Sequence, residues 1–138
     1  MQNYIFTAFL AIGLILNSVG CKKPDPAAEN RTQLESQWKI QTEGLVNGNK
    51  DMFVSVLSTD TAAAPVKVNF AFNAMHGLAK LAKFTTASLR IDDVQFTADF
   101  TQATVKTAHV DTKSPSGWKP FPKPENWIKE GDQWKRQF

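Results

Sequence analysis

Acid–base chemistry needs a group that titrates near neutrality and a neighbour that holds it in place, and this 138-residue chain has two histidines to offer. His109 alternates with Val105 and Thr107, so its side chain shares a sheet face with theirs, and Asp93 or Asp99 would be its partner. His76 falls with Asn69, Asn73, Lys80 and Lys83 on one arc of a helix, an arc expected to face solvent. Metal chemistry lacks its ligands, because the chain has no C-x-x-C or H-x-x-x-H and its histidines are far apart; neither a metal nor a cofactor is expected. In "GLVNGNKD" the two glycines stand one residue too close for a phosphate loop, and no Gly-Lys-Ser/Thr follows. No G-x-S-x-G elbow occurs either. A lone strand histidine reads first as structural, so catalysis by His109 with Asp93 or Asp99 is a secondary reading.

Aromatic and proline residues make the other unusual constellation, "KSPSGWKPFPKPENW", residues 113–127. Its four prolines restrict the backbone, while Trp118, Phe121 and Trp127 offer stacking faces beside Lys113, Lys119 and Lys123. It reads as a loop whose aromatics fold back onto a sheet, or as a semi-rigid lip to a pocket or a patch for a partner. With Trp38, His109 and Trp134, these aromatics form the candidate pocket or partner surface. The net charge of +3 is mild, and the lysines are spread along the chain, as solubility requires. A 42% apolar composition supports one small core, and a single cysteine forbids an internal disulfide, so packing alone must hold the fold.

That cysteine, Cys21, follows an apolar run, residues 5–19, broken only by Thr7, Asn17 and Ser18. The run is shorter than the ~20 residues that cross a bilayer as a helix and suits the apolar region of a signal peptide. Ser18-Val19-Gly20-Cys21 resembles the lipobox of bacterial lipoproteins. The resemblance implies cleavage before Cys21, a diacylglyceryl thioether on its sulfur and acylation of its new amine, so that the lipid anchors the protein to the membrane. Lys22 directly after the cysteine implies sorting to the outer membrane, facing the periplasm. A plain membrane anchor is the alternative, which Lys22-Lys23 would orient with the C-terminus in the cytoplasm. Residues 1–20 are thus expected to be a signal peptide and 21–31, rich in proline and charge, a flexible tether.

Residues 32–138 must then fold as one domain. Thr32-Gln33-Leu34-Glu35 has the form of a capping box, with Leu34, Trp38 and Leu45 on one helix face as far as the stop at Asn47-Gly48. Asn49 caps a short helix over 50–57, "STDTAAAP" is turn-like, and a third helix over 68–84 is apolar round more than half its circumference, hence covered on more than one side. Beyond Thr86 the period becomes two. Leu89 and Ile91 alternate in one phase, and Val94, Phe96, Ala98 and Phe100 in the other, so Asp92-Asp93 marks a bulge. "ADFTQA" closes a hairpin onto a strand over 104–112, and 126–129 with 133–138 form another, a tryptophan on each arm. The class is α+β, helices first and antiparallel sheet second.

"LVNGNKDMFVSVLS" at the helical corner and "NWIKEGDQWKRQF" at the end resemble the nuclear transport factor 2-like (cystatin-like) superfamily, over most of residues 32–138. The resemblance implies a cone: N-terminal helices packed into a curved antiparallel sheet around an interior pocket. Such pockets tend to be apolar, so an apolar or amphiphilic ligand is implied. The superfamily's enzymes commonly use an Asp base with Tyr or His, but Tyr4, the chain's single tyrosine, is expected to leave with the signal peptide. The leading expectation is a non-enzymatic, lipid-anchored domain that binds a small ligand or an envelope protein. An isomerase, dehydratase or hydrolase and a structural or assembly accessory are the alternatives. A homodimer stays open, and export argues against a nucleic-acid partner.

Overall fold

The computed structural model describes Gly20 and residues 22–138; residues 1–19 and Cys21, with the lipidation expected there, lie outside the described residues. Helix α1 (Pro26–Asn47) starts where Asp25 caps it, its carboxylate accepting from the Ala27 N–H at 3.0 Å, with Pro26 in the first turn, where a missing N–H costs nothing. The expected start at Thr32 is therefore too late. Thr32 is an interior helical residue whose hydroxyl donates to the Ala28 carbonyl, and Glu35 pairs with Arg31 instead of closing a capping box. A long-range contact holds the added turns: buried Asn30 donates to the Pro26 carbonyl and accepts from Lys129 Nζ, both at 2.8 Å. The first helix thus begins at Pro26, inside the range 21–31 expected to be a tether.

Gly48 ends α1 in the left-handed conformation at φ 70°, and the Asn49 side chain accepts from the Met52 N–H to open α2 (Lys50–Ser55). The "STDTAAAP" stretch is more than a turn. Ser58 caps a single helical turn, α3 (Thr59–Ala62), whose exposed first N–H and Thr59 hydroxyl both donate to the Glu130 carboxylate. Helix α4 (Pro65–Leu81) begins and ends three residues before the expected range of 68–84. It is covered on one side only: Val68 and Phe72 join Leu45, Phe53 and Leu57 in a core between the helices, while Val66, Phe70 and Leu81 stand exposed on the outer side.

A 3₁₀ turn (Thr86–Ser88) leads to five antiparallel strands: β1 (Leu89–Phe96), β2 (Gln102–Val110), β3 (Trp118–Pro120), β4 (Glu125–Glu130) and β5 (Gln133–Gln137). The order is β1-β2-β4-β5, with β3 pairing the far end of the β2 edge that β4 occupies. The bulge falls where the change of phase put it, since Ile91 faces Thr107 and Asp93 faces Lys106, leaving Asp92 extra. The first hairpin closes earlier than expected. Asp99 accepts from the hydroxyls of Thr97 at 2.7 Å and Thr101 at 2.8 Å, which turns the chain after Phe96 rather than after Phe100 and starts β2 at Gln102 instead of Thr104. Strand β5 returns to the helical corner, its Arg136 N–H donating to the Val56 carbonyl and its carbonyl accepting from the Ser58 N–H.

Leu34, Ala103, Val105, Trp127 and Trp134 form the core between α1 and the sheet, with Trp38, Ile91, Val94 and Phe96 around it. The architecture is α+β, N-terminal helices on a curved antiparallel sheet, as the order of periodicities implied.

Candidate functional site: a polar-floored apolar pocket

Period two in the last hairpin decides what sits under the helices. Glu125 and Trp127 on β4 share a face, as do Trp134 and Arg136 on β5, and the register sets Trp127 opposite Arg136. Both tryptophans are fully buried, so the residues in phase with them are carried inward as well, charged or not. Arg136 and Glu125 then lie on the diagonal of the pair and meet in the interior, Nη1 to Oε1 at 2.7 Å, with side chains 10% and 11% exposed.

Two further groups complete the cluster. Gln41 on α1 accepts from Arg136 Nη1 at 3.1 Å and reaches Glu125 Oε2 with its own amide at 3.5 Å, while Trp127 Nε1 donates to the same Oε2 at 3.1 Å. Burial pushes the Arg136 guanidinium below its ordinary pKa, and the charge and hydrogen bond of Glu125 pull it back. Phe138 lies beneath the guanidinium, 4.9 Å from Cζ to ring centroid.

Above this cluster is a cavity of about 270 Å³. Its walls are apolar: Leu45 and Val46 from α1, Met75 and Leu78 from α4, Phe84 from the segment after α4, and Leu89 at the start of β1. Phe121, Pro122 and Lys123, from the proline-rich stretch, form one lip. Gln41, Glu125 and Arg136 supply the polar floor, with Trp38 and Thr107 beside them. Such a site can take an apolar body and orient it by a few polar contacts.

The candidate residues divide between pocket and scaffold. Trp38 and Phe121 line the cavity. His109 does not: its ring packs between Phe84 and Phe121, at 5.2 and 5.0 Å between centroids, and its Nδ1 lies 3.0 Å from the Val110 carbonyl. It buttresses two of the lining rings. Trp127 and Trp134 belong to the core rather than to a ligand surface. Trp118, in β3, stacks beneath the Arg90 guanidinium at 4.3 Å, away from the cavity. The proline-rich stretch therefore does both things foreseen for it: Trp118 folds onto the sheet, and Phe121-Pro122-Lys123 makes a lip.

Neither aspartate reaches His109. Asp93 takes Gln95 at 3.1 Å and lies 3.9 Å from Lys106, a residue whose neighbours Val105 and Thr107 point to the opposite face. Asp99 is spent on the hairpin turn, where the hydroxyls of Thr97 and Thr101 hold its carboxyl below the usual pKa. The His109–Asp pairs that an acid–base mechanism would need are thus not assembled. His76 is also other than expected: it is half-buried, stacked on Phe72, and donates from Nδ1 to the Leu45 carbonyl at 2.6 Å, a helix-end acceptor that would otherwise lack a partner. Among the described residues, no group of three His, Cys, Asp or Glu could hold a metal ion, and no helix is long and apolar enough to cross a membrane.

Gln41, Glu125 and Arg136 were absent from the sequence-derived candidates. The signal for two of them was there: a charged residue two positions from a tryptophan in a strand shares its face, as in Glu125-x-Trp127 and Trp134-x-Arg136.

No protein-family model and no curated protein matches the chain. Among solved structures, it is similar to a variant of Rv3472, a protein of unknown function from Mycobacterium tuberculosis, at 12% identity and a TM-score of 0.42, over 81% of this chain and 72% of that one. It is also similar to the intermembrane space region of the chloroplast protein ARC6, at 15% identity and a TM-score of 0.37, over 85% of this chain and 95% of that one.

Proposed function

We propose that the protein is a lipid-anchored lipoprotein of the bacterial cell envelope, built on a nuclear transport factor 2-like domain, that holds a small apolar or amphiphilic ligand and carries out no chemistry on it. The observation that carries the binding reading is the cavity of about 270 Å³ with apolar walls and a floor of three mutually bonded polar side chains. Its size lies just under the ~300–1,000 Å³ usual for ligand sites, so the ligand, or the part of it inside, is small. Support for the anchor comes from the lipobox-like Ser18-Val19-Gly20-Cys21, and Lys22 favours the outer membrane. The binding reading ranks above an enzyme because His109 is packed among aromatic rings and its candidate aspartates are engaged elsewhere.

Native mass spectrometry of the protein extracted from cell membranes in mild detergent tests both halves at once. The expected species starts at Cys21, carries acyl chains and holds a reproducible non-covalent adduct. An acylated species that never carries an adduct would count against ligand binding. A species lacking acyl chains would remove the anchor.

A further inference from the structure

Helix α4 carries an apolar stripe that the rest of the domain leaves uncovered. Among the described residues, five large apolar side chains stand exposed, and four of them belong to this helix: Val66 at 83%, Phe70 at 76%, Leu78 at 53% and Leu81 at 85%. At 100° per residue they fall within ~120° of its circumference, along ~22 Å of its axis, with Ala74 and Gly77 between them. The helix meets the core through Val68 and Phe72, on its other side. Leu78 belongs to the stripe and to the cavity wall alike, so the two apolar surfaces are continuous. A contiguous apolar surface of this kind marks a site of interaction.

Charge indicates what covers it. From Thr61 to Ile91 the chain has no aspartate or glutamate, while Lys67 stands near the start of the helix and Lys80 and Lys83 at its end, all three exposed. Lys67 Nζ donates to the Phe138 carbonyl at 3.2 Å, but none of the ion pairs among the described residues takes Lys80 or Lys83. An apolar stripe edged by cations and free of anions matches the interface of an anionic bilayer, where Phe and Leu enter the acyl boundary and lysines reach the phosphates. A second copy fits less well. Crossing antiparallel so that Val66 meets Leu81 would set Lys67 against Lys80, with no acidic residue on the helix to pair either.

We infer that the outer face of α4 docks on an anionic lipid surface, with Val66, Phe70, Leu78 and Leu81 entering the headgroup layer and Lys80 and Lys83 meeting its phosphates. The docking belongs to folded residues that follow Cys21, so it needs neither the lipid anchor nor a ligand in the cavity.

The test is vesicle flotation of residues 22–138, which hold every contact of the fold described above, without Cys21 and its lipid. Vesicles of equal parts phosphatidylglycerol and phosphatidylcholine should bind the domain about tenfold or more tightly than phosphatidylcholine alone, and added salt should weaken that binding. Phe70→Ser/Leu81→Ser and, separately, Lys80→Gln/Lys83→Gln should each weaken it about tenfold, with thermal melts unchanged because all four side chains are exposed. Val110→Ser, at the one large exposed apolar side chain outside α4, should bind as the parent does. No binding to the anionic vesicles, or either double variant binding as tightly as the parent, would overturn the inference. Sedimentation of the parent as a dimer that Phe70→Ser/Leu81→Ser dissociates would overturn it too, and assign the face to a second copy.

Discussion

Replacing Glu125 by Gln keeps the shape of the pocket floor and removes one charge. The amide oxygen introduced there would still accept from Trp127, but the Arg136 guanidinium, 8% exposed and already disfavoured by burial, would lose the anion 2.7 Å away. Removing one partner of a buried pair costs ~3–5 kcal/mol, because the remaining ion is left uncompensated in a low dielectric. That is about a fifth or more of the ~5–15 kcal/mol that holds a typical domain together. At about 4 °C per kcal/mol for a domain of this size, Glu125→Gln should lower Tm by ~12–20 °C. Urea denaturation followed by tryptophan fluorescence is the assay, since Trp127 and Trp134 are fully buried, and the midpoint should fall with no change in slope. The paired variant Glu125→Gln/Arg136→Met removes the stranded charge and should recover all but ~1 kcal/mol of the loss. A single-variant loss under ~1 kcal/mol, or a double variant no better than the single one, would refute the account of a desolvated, mutually dependent pair.

Two helical glycines should respond to alanine with opposite signs. At Gly44 a Cβ would stand 2.8 Å from the Phe53 backbone nitrogen and 3.0 Å from the Asn49 carbonyl oxygen, where α1 and α2 meet, so Gly44→Ala should destabilise by ~1–3 kcal/mol. At Gly77 it would meet nothing within 4 Å, and Gly77→Ala should stabilise by up to ~1 kcal/mol; equal effects in thermal melts would refute the contrast. The Asp99 carboxyl, held by Thr97 and Thr101, should titrate below the usual ~3.9 when followed by ¹³C NMR. Because its folded value is depressed, its contribution to stability is present above the unfolded pKa and fades as pH falls through the folded one. Asp99→Asn should flatten that acid limb, and an Asp99 titrating at or above the usual value would overturn the turn's role.

Local chemistry made much of the scaffold legible. Asn47-Gly48-Asn49 ends one helix and caps the next, because a left-handed glycine and an amide side chain satisfy helix ends without help from afar. The change of phase at Asp92-Asp93 marked the bulge, since alternation in a strand has no slack to absorb an extra residue. Where a distant partner decides, the local signs misled. Thr32 and Glu35 have the form of a capping box, yet Lys129 from β4 holds Asn30 and so secures a helix that starts at Pro26. His76 lies on an arc of polar residues, yet α1 presents the Leu45 carbonyl to it.

The sequence by itself determined the α+β class, the helical corner and the hairpins, because each follows from a repeat, a cap or a turn a few residues long. It also carries Ser18-Val19-Gly20-Cys21, whose proposed reading as a lipobox depends on no fold at all. Tertiary structure alone decided the site. Gln41 lies 84 residues from Glu125 and 95 from Arg136, and nothing in the intervening chain reveals that helix and strands will bring them within hydrogen-bonding distance. It also separated His109 from both aspartates, since strand alternation turns Lys106, and with it Asp93, to the opposite face, and the turn of residues 97–101 keeps Asp99 for itself.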